Sequence, residues 1–129
     1  MDRVLIDTSV LIDVSTGIEP SSTAVRGMLS SGTEGCVCAV IVAEFFVGVH
    51  PDDRGRWERY FDRLRFPPVT REASMVASRY RDDFARRGRT LATSDSLIAA
   101  VARAYGAVLL TENPKHFPMN DIIVRSLRT

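Results

Sequence analysis

Short apolar runs alternate with longer amphipathic stretches along this chain, and the lengths of the two kinds predict strands and helices in turn. Val4-Leu5-Ile6 is a compact apolar run that stops at Asp7-Thr8-Ser9. It reads as a buried strand, followed by a short helix through Val14 with Thr8 or Ser9 placed to cap it. After Pro20 the segment from Ser21 to Leu29 reads as a helix. Gly35 opens a second strand, about Cys36 to Ala39, and the apolar run then continues from Val40 to Val49 with Glu44 as its single charge. Ten residues of that kind favour helix over strand. Trp57, Tyr60, Phe61 and Leu64 follow the i, i+3, i+4, i+7 spacing of an amphipathic helix from Asp52 to Leu64, closed by Pro67-Pro68. That aromatic stripe is expected in the core first and at a partner surface second. Two further helices are predicted, Thr70 to Arg87 before Gly88 and Thr93 to Tyr105 before Gly106. Ala107 to Leu110 is the next strand, Thr111-Glu112-Asn113-Pro114 the turn leaving it, and Ile122 to Val124 a final edge strand.

Strands joined by helices of this length predict an α/β domain with a central parallel sheet of four to five strands flanked by helices. Sheets of that kind carry their sites at the carboxyl ends of strands. With 129 residues and 45% hydrophobic content, a single domain over 1–129 is expected, large enough for a real core. No long uncharged apolar run occurs and the chain opens with Met1-Asp2-Arg3, so neither a membrane helix nor a secretory signal is expected, and a cytoplasmic location is. Cys36 and Cys38 are too close for an ordinary disulfide and too few for structural zinc; they read as small buried hydrophobes on one strand face.

Seventeen basic against sixteen acidic residues leave a formal charge of +1, which carries no nucleic-acid signal for the molecule as a whole. The distribution does more. Between Arg54 and Arg89 there are eleven arginines against five acids, a segment that is either a solvated helix face or a surface that meets phosphates.

The candidate chemistry lies in three separated acids. Asp7 stands where the first strand ends, the place an open sheet offers to ligands, though a turn or cap aspartate has the same look. Glu44 interrupts an apolar helix; it is either buried beside a compensating cation or on that helix's exposed stripe. Asp95, in Thr93-Ser94-Asp95-Ser96, falls in the first turn of a helix, where the dipole alone favours an acid. Carboxylates without nearby cysteine or histidine suit magnesium or manganese rather than zinc. The chemistry such a site supports is phosphodiester hydrolysis by a metal-activated water.

Four motifs in order then resemble those of the PIN-domain ribonucleases, specifically the VapC-type toxins. These are Val4-Leu5-Ile6-Asp7-Thr8-Ser9-Val10-Leu11-Ile12-Asp13, Ala43-Glu44-Phe45-Phe46-Val47-Gly48, Ser94-Asp95-Ser96-Leu97-Ile98-Ala99-Ala100, and Val108-Leu109-Leu110-Thr111-Glu112-Asn113 with His116-Phe117. The resemblance spans the chain and implies a PIN-like three-layer sandwich. It implies an endoribonuclease toxin of a type II toxin–antitoxin system, with Asp7, Glu44 and Asp95 as catalytic acids and ligands of Mg2+ or Mn2+. It also implies an RNA substrate, a VapB-like antitoxin and a homodimer, in which Phe45, Phe46 and the Trp57-Tyr60-Phe61 stripe are contact candidates. The fourth motif departs from the pattern, with Asn113 where many members carry aspartate. Asn113 is ranked ahead of Glu112 as the residue completing the site, which then carries less negative charge than is usual and favours manganese or a single ion. Thr8, Ser9 and Thr111 are supporting hydroxyls, for a bound water or phosphate or for turn capping. Asp13, a turn or more beyond Ser9, is expected at the surface rather than behind the metal ligands, and neither His50 nor His116 is assigned as a general base. The alternative is a catalytically weak PIN domain that binds RNA or a partner. A phosphoaspartate phosphatase is set aside because Ser9 occupies the place of its second aspartate.

Overall fold

The computed structural model describes residues 2–128. Strand β1 (Arg3–Ile6) is central, and Val4, Leu5 and Ile6 are essentially inaccessible to solvent, as a parallel strand covered on both faces requires. β1 leads into α1 (Thr8–Thr16) and α2 (Ser21–Ser30), then the short strand β2 (Glu34–Cys36). Next come α3 (Ala39–Val47), a single 3-10 turn (Pro51–Asp53), α4 (Arg54–Phe61), α5 (Arg71–Arg86) and α6 (Thr93–Tyr105). Strand β3 (Val108–Leu110), a second 3-10 turn (Pro114–His116) and β4 (Val124–Arg125) complete the described residues. The strands pair in the order β2-β1-β3-β4, all parallel. Four strands form the sheet, the lower end of the expected range, and six α-helices flank it among the described residues.

The order decides where a site can form. β1 has β2 on one side and β3 on the other, so the chain reverses its direction of travel across the sheet at the carboxyl ends of β1 and β3, where a crevice opens. Asp7 and Thr111 directly follow those two strands.

Most boundaries follow local chemistry. α1 and α6 end at Gly17 and Gly106, both left-handed at φ 70° and 66°, which glycine adopts without the Cβ clash. Thr70 caps α5 by accepting the Ala73 N–H at 3.0 Å. Several expectations are corrected: the last strand is Val124–Arg125 rather than Ile122 to Val124, and the helix expected from Asp52 to Leu64 is a 3-10 turn followed by α4 over Arg54–Phe61. The α1 cap position is Asp7, whose backbone is extended, while Thr8 and Ser9 lie inside the helix and cap nothing. The second strand ends at Cys36 rather than Ala39, and Cys38 is the residue before α3. The sheet edge past β2 is taken by Arg65, whose N–H donates to the Gly35 carbonyl and whose carbonyl accepts from Val37. The continuous apolar run from Val37 onward contains no turn residue to mark where strand becomes helix. Both cysteines are buried and free, but only Cys36 is on the strand.

The aromatic stripe of α4 packs onto α3. Phe45 has ring centroids of Phe46, Trp57 and Phe61 within 5.3–5.6 Å, and Phe45 is 5% exposed. Packing therefore uses these rings largely against one another.

Candidate active site

Asp7 is held from three directions. Its N–H continues the sheet by donating to the Leu110 carbonyl at 2.9 Å, and its carbonyl accepts the N–H groups of Val10 and Leu11 that open α1. Its carboxylate Oδ2 accepts the Thr111 hydroxyl at 2.7 Å and the Ser9 hydroxyl at 3.2 Å. A hydroxyl has one proton, so with both protons directed at Asp7 the 3.4 Å separation of Ser9 Oγ and Thr111 Oγ1 is a contact rather than a further bond. Each hydroxyl oxygen in turn accepts a backbone donor, Glu112 N–H on Ser9 and Asn113 N–H on Thr111, both at 3.0 Å. Asp7 is 5% exposed and Thr111 fully buried. Oδ1 of Asp7 carries no hydrogen bond among the described residues.

The other two acids stand around it. Glu44 is on an exposed stripe of α3, and its Oε1 accepts the Thr8 hydroxyl at 3.0 Å. Asp95 is in the first turn of α6, where the helix amides favour a carboxylate. Its carboxyl is nonetheless held above the usual aspartate range: burial is the largest cause, and the charges of Asp7 and Glu44 add to it, while His116 pulls the other way. The thiol of Cys38 is raised as well, chiefly by burial and less by Asp7 and Glu44, against the pull of the first α3 amides. Two groups thus lie in the combined field of Asp7 and Glu44.

The structure places the remaining candidates unequally. Asn113 is exposed, with its backbone N–H on Thr111 and no side-chain hydrogen bond among the described residues. The Glu112 carboxylate, 4% exposed, is turned to the C-terminal residues: Oε1 accepts the Leu127 N–H at 2.9 Å and Oε2 the Ser126 hydroxyl at 3.1 Å. Asp13 is corrected from surface to interior: it is 2% exposed and gripped by both arms of Arg128, at 2.6 and 3.0 Å. Its place one turn beyond Ser9 gives no sign of the arginine, 115 residues away, that pairs with it. The residue passed over is His116, whose Nδ1 lies 3.5 Å from Asp95 Oδ2. Its place in the fourth motif was the available signal.

The donor set suits a hard cation. Among the described residues no three His, Cys, Asp or Glu side chains converge tightly enough to form a ready-made cage. Magnesium and manganese do not require one, because they keep several waters and take one or two carboxylates directly. Oxygen donors on Asp7, Glu44 and Asp95 fit such an ion, and so does the raised Asp95 carboxyl, held up first by burial and then by the charges of Asp7 and Glu44.

The family model described as "PIN domain" matches residues 4–120. Ribonuclease VapC19 of Mycobacterium tuberculosis is 28% identical over 115 residues, covering 89% of this chain and 92% of that protein. Among solved structures, a chain of VapBC2 from Rickettsia felis, crystallised with a fragment of promoter DNA, superposes with a TM-score of 0.82 at 16% identity. The match covers 96% of this chain and 98% of that one. A chain of a toxin–antitoxin complex from Klebsiella pneumoniae gives 0.78 at 19%, over 93% and 95%. At these identities the two structures establish a common fold.

Proposed function

This chain belongs to the PIN-domain family, and from that premise we propose that it is a divalent-metal-dependent endoribonuclease, the toxin of a type II toxin–antitoxin pair. The observation that carries the reading is Asp7 at the reversal point of the sheet, its Oδ2 saturated by two hydroxyls and its field, with that of Glu44, reaching Asp95. Asp7, Glu44 and Asp95 would hold Mg2+ or Mn2+. When bound, the ion supplies Lewis acidity at the phosphate and lowers the pKa of an attacking water. Thr111 and Ser9 hold Asp7 through Oδ2, and Thr8 donates to Glu44 Oε1. With Asn113 neutral, the site carries less charge than four acids would, which favours a single ion or manganese. The ribonuclease relative and the toxin–antitoxin neighbours support RNA as substrate and a VapB-like antitoxin as partner. A homodimer and a cytoplasmic location complete the reading; no helix among the described residues is long and apolar enough to cross a membrane.

The test uses purified protein freed of any antitoxin, incubated with total and structured RNA. Cleavage is expected with Mg2+ or Mn2+, is abolished by EDTA, and falls by about 100-fold or more in Asp7→Asn and Glu44→Gln. Cutting that survives both EDTA and Asp7→Asn would overturn the metal mechanism. A second reading, an RNA- or partner-binding module with little activity, is favoured by the neutral Asn113; it predicts RNA retention without cleavage in every metal.

A further inference from the structure

The most heavily tied group near the site is one that makes no contact with the three acids. Glu112 and Asp13 are both buried carboxylates, with side chains 4% and 3% exposed, and Arg128 pairs with each of them. Arg128 Nε reaches Asp13 Oδ2 at 3.0 Å and Glu112 Oε2 at 3.5 Å, and its Nη2 reaches Asp13 Oδ1 at 2.6 Å. Glu112 also takes the Leu127 N–H and the Ser126 hydroxyl. Residues 126–128 therefore clasp the middle of α1 to the loop that leaves β3. Two buried carboxylates sharing one guanidinium is a costly arrangement unless every oxygen is satisfied, and here each of the four has a donor.

The clasp leads to the site through the backbone. Glu112 N–H donates to Ser9 Oγ, Ser9 donates to Asp7 Oδ2, and the neighbouring Thr111 donates to the same oxygen. With the Glu112 side chain anchored, its amide has one direction, Ser9 has its acceptor role filled, and the Ser9 proton is left for Asp7. We propose that Glu112, locked by Arg128, Ser126 and Leu127, is a positioning residue that fixes Asp7 so that Oδ2 is consumed by hydroxyls and only Oδ1 faces a cation. Glu112 is on this account not a ligand itself. The inference rests on the metal reading above.

The experiment compares wild type, Glu112→Gln, Glu112→Ala, Arg128→Gln and Asp7→Asn by Mn2+ titration, following the free-ion electron paramagnetic resonance signal, alongside hydrogen exchange of the Glu112 amide. Glutamine keeps an oxygen for the Leu127 N–H, so Glu112→Gln should bind Mn2+ within about threefold of wild type. Glu112→Ala should weaken it about tenfold and release the amide to faster exchange, with Arg128→Gln between the two. Glu112→Gln losing as much affinity as Glu112→Ala would make Glu112 a ligand and overturn the proposal. Mn2+ affinity unchanged in a folded Glu112→Ala or Arg128→Gln would reduce the clasp to a structural tie and overturn it too. If wild type shows no Mn2+ binding that Asp7→Asn removes, the metal reading itself fails and takes this inference with it.

Discussion

Asp95 joins a favourable address to an unfavourable charge. The α6 amides welcome a carboxylate, yet burial and the charges of Asp7 and Glu44 raise its pKa. A carboxyl whose folded pKa exceeds its unfolded one binds its proton more tightly in the native state. Its contribution to stability is then full below the ordinary aspartate value and is lost as pH rises through the folded value. Asp95→Asn should therefore melt higher than wild type at neutral pH in EDTA, by calorimetry, and the difference should vanish at acid pH. Added Mn2+ should narrow the gap by raising the wild type alone. His116 is the neighbour that pulls Asp95 down, so His116→Ala should move the Asp95 carboxyl resonance to titrate higher still. A titration that does not move would detach His116 from the site.

At the scale of elements, α5 and α6 pack against each other and carry Asp95 to the crevice. The buried side chains of α5 are Ala73, Ala77, Tyr80 and Phe84, a single helical face. The Tyr80 hydroxyl is tied at 2.8 Å to Asp121, which also pairs with Arg103 of α6. The opening turn of α5 rests on one side-chain cap, the Thr70 hydroxyl. Thr70→Ala should cost about 1 kcal/mol in urea unfolding and leave cleavage unchanged, since Thr70 touches none of the acids. Helices of this kind were legible in the chain itself. The last turn of each follows from glycine or a charge change, and α6 occupies the expected Thr93–Tyr105. The β2–α3 junction was not, because an apolar run without punctuation has no local signal and the strand ends where its partner on the sheet, Arg65, takes over.

For the whole molecule, the net charge is only +1, yet eleven arginines stand against five acids between Arg54 and Arg89. Arg54, Arg56, Arg65 and Arg86 are spent in ion pairs with Glu58, Asp53, Glu34 and Asp82, and Arg89 donates to the Lys115 carbonyl beside His116. Single-stranded RNA held by four phosphate contacts would bind roughly 50-fold more weakly at 200 mM than at 50 mM KCl. Asp7→Asn protein, expected to bind without cutting, is the form in which to measure this by fluorescence anisotropy. A flat response would leave the arginines as solvated helix surface.

By itself the sequence determined the alternation of strand and helix and the parallel sheet, and it singled out the three candidate acids, because periodicity, caps and the company a charge keeps are written within a few neighbouring residues. Tertiary structure decided the rest. That Asp13 is buried, that Glu112 faces the C-terminal residues, and that His116 approaches Asp95 depend on segments brought together only when the sheet closes. Between Asp13 and Arg128 lie more than a hundred residues, and no local pattern predicts which distant cation will satisfy a given carboxylate.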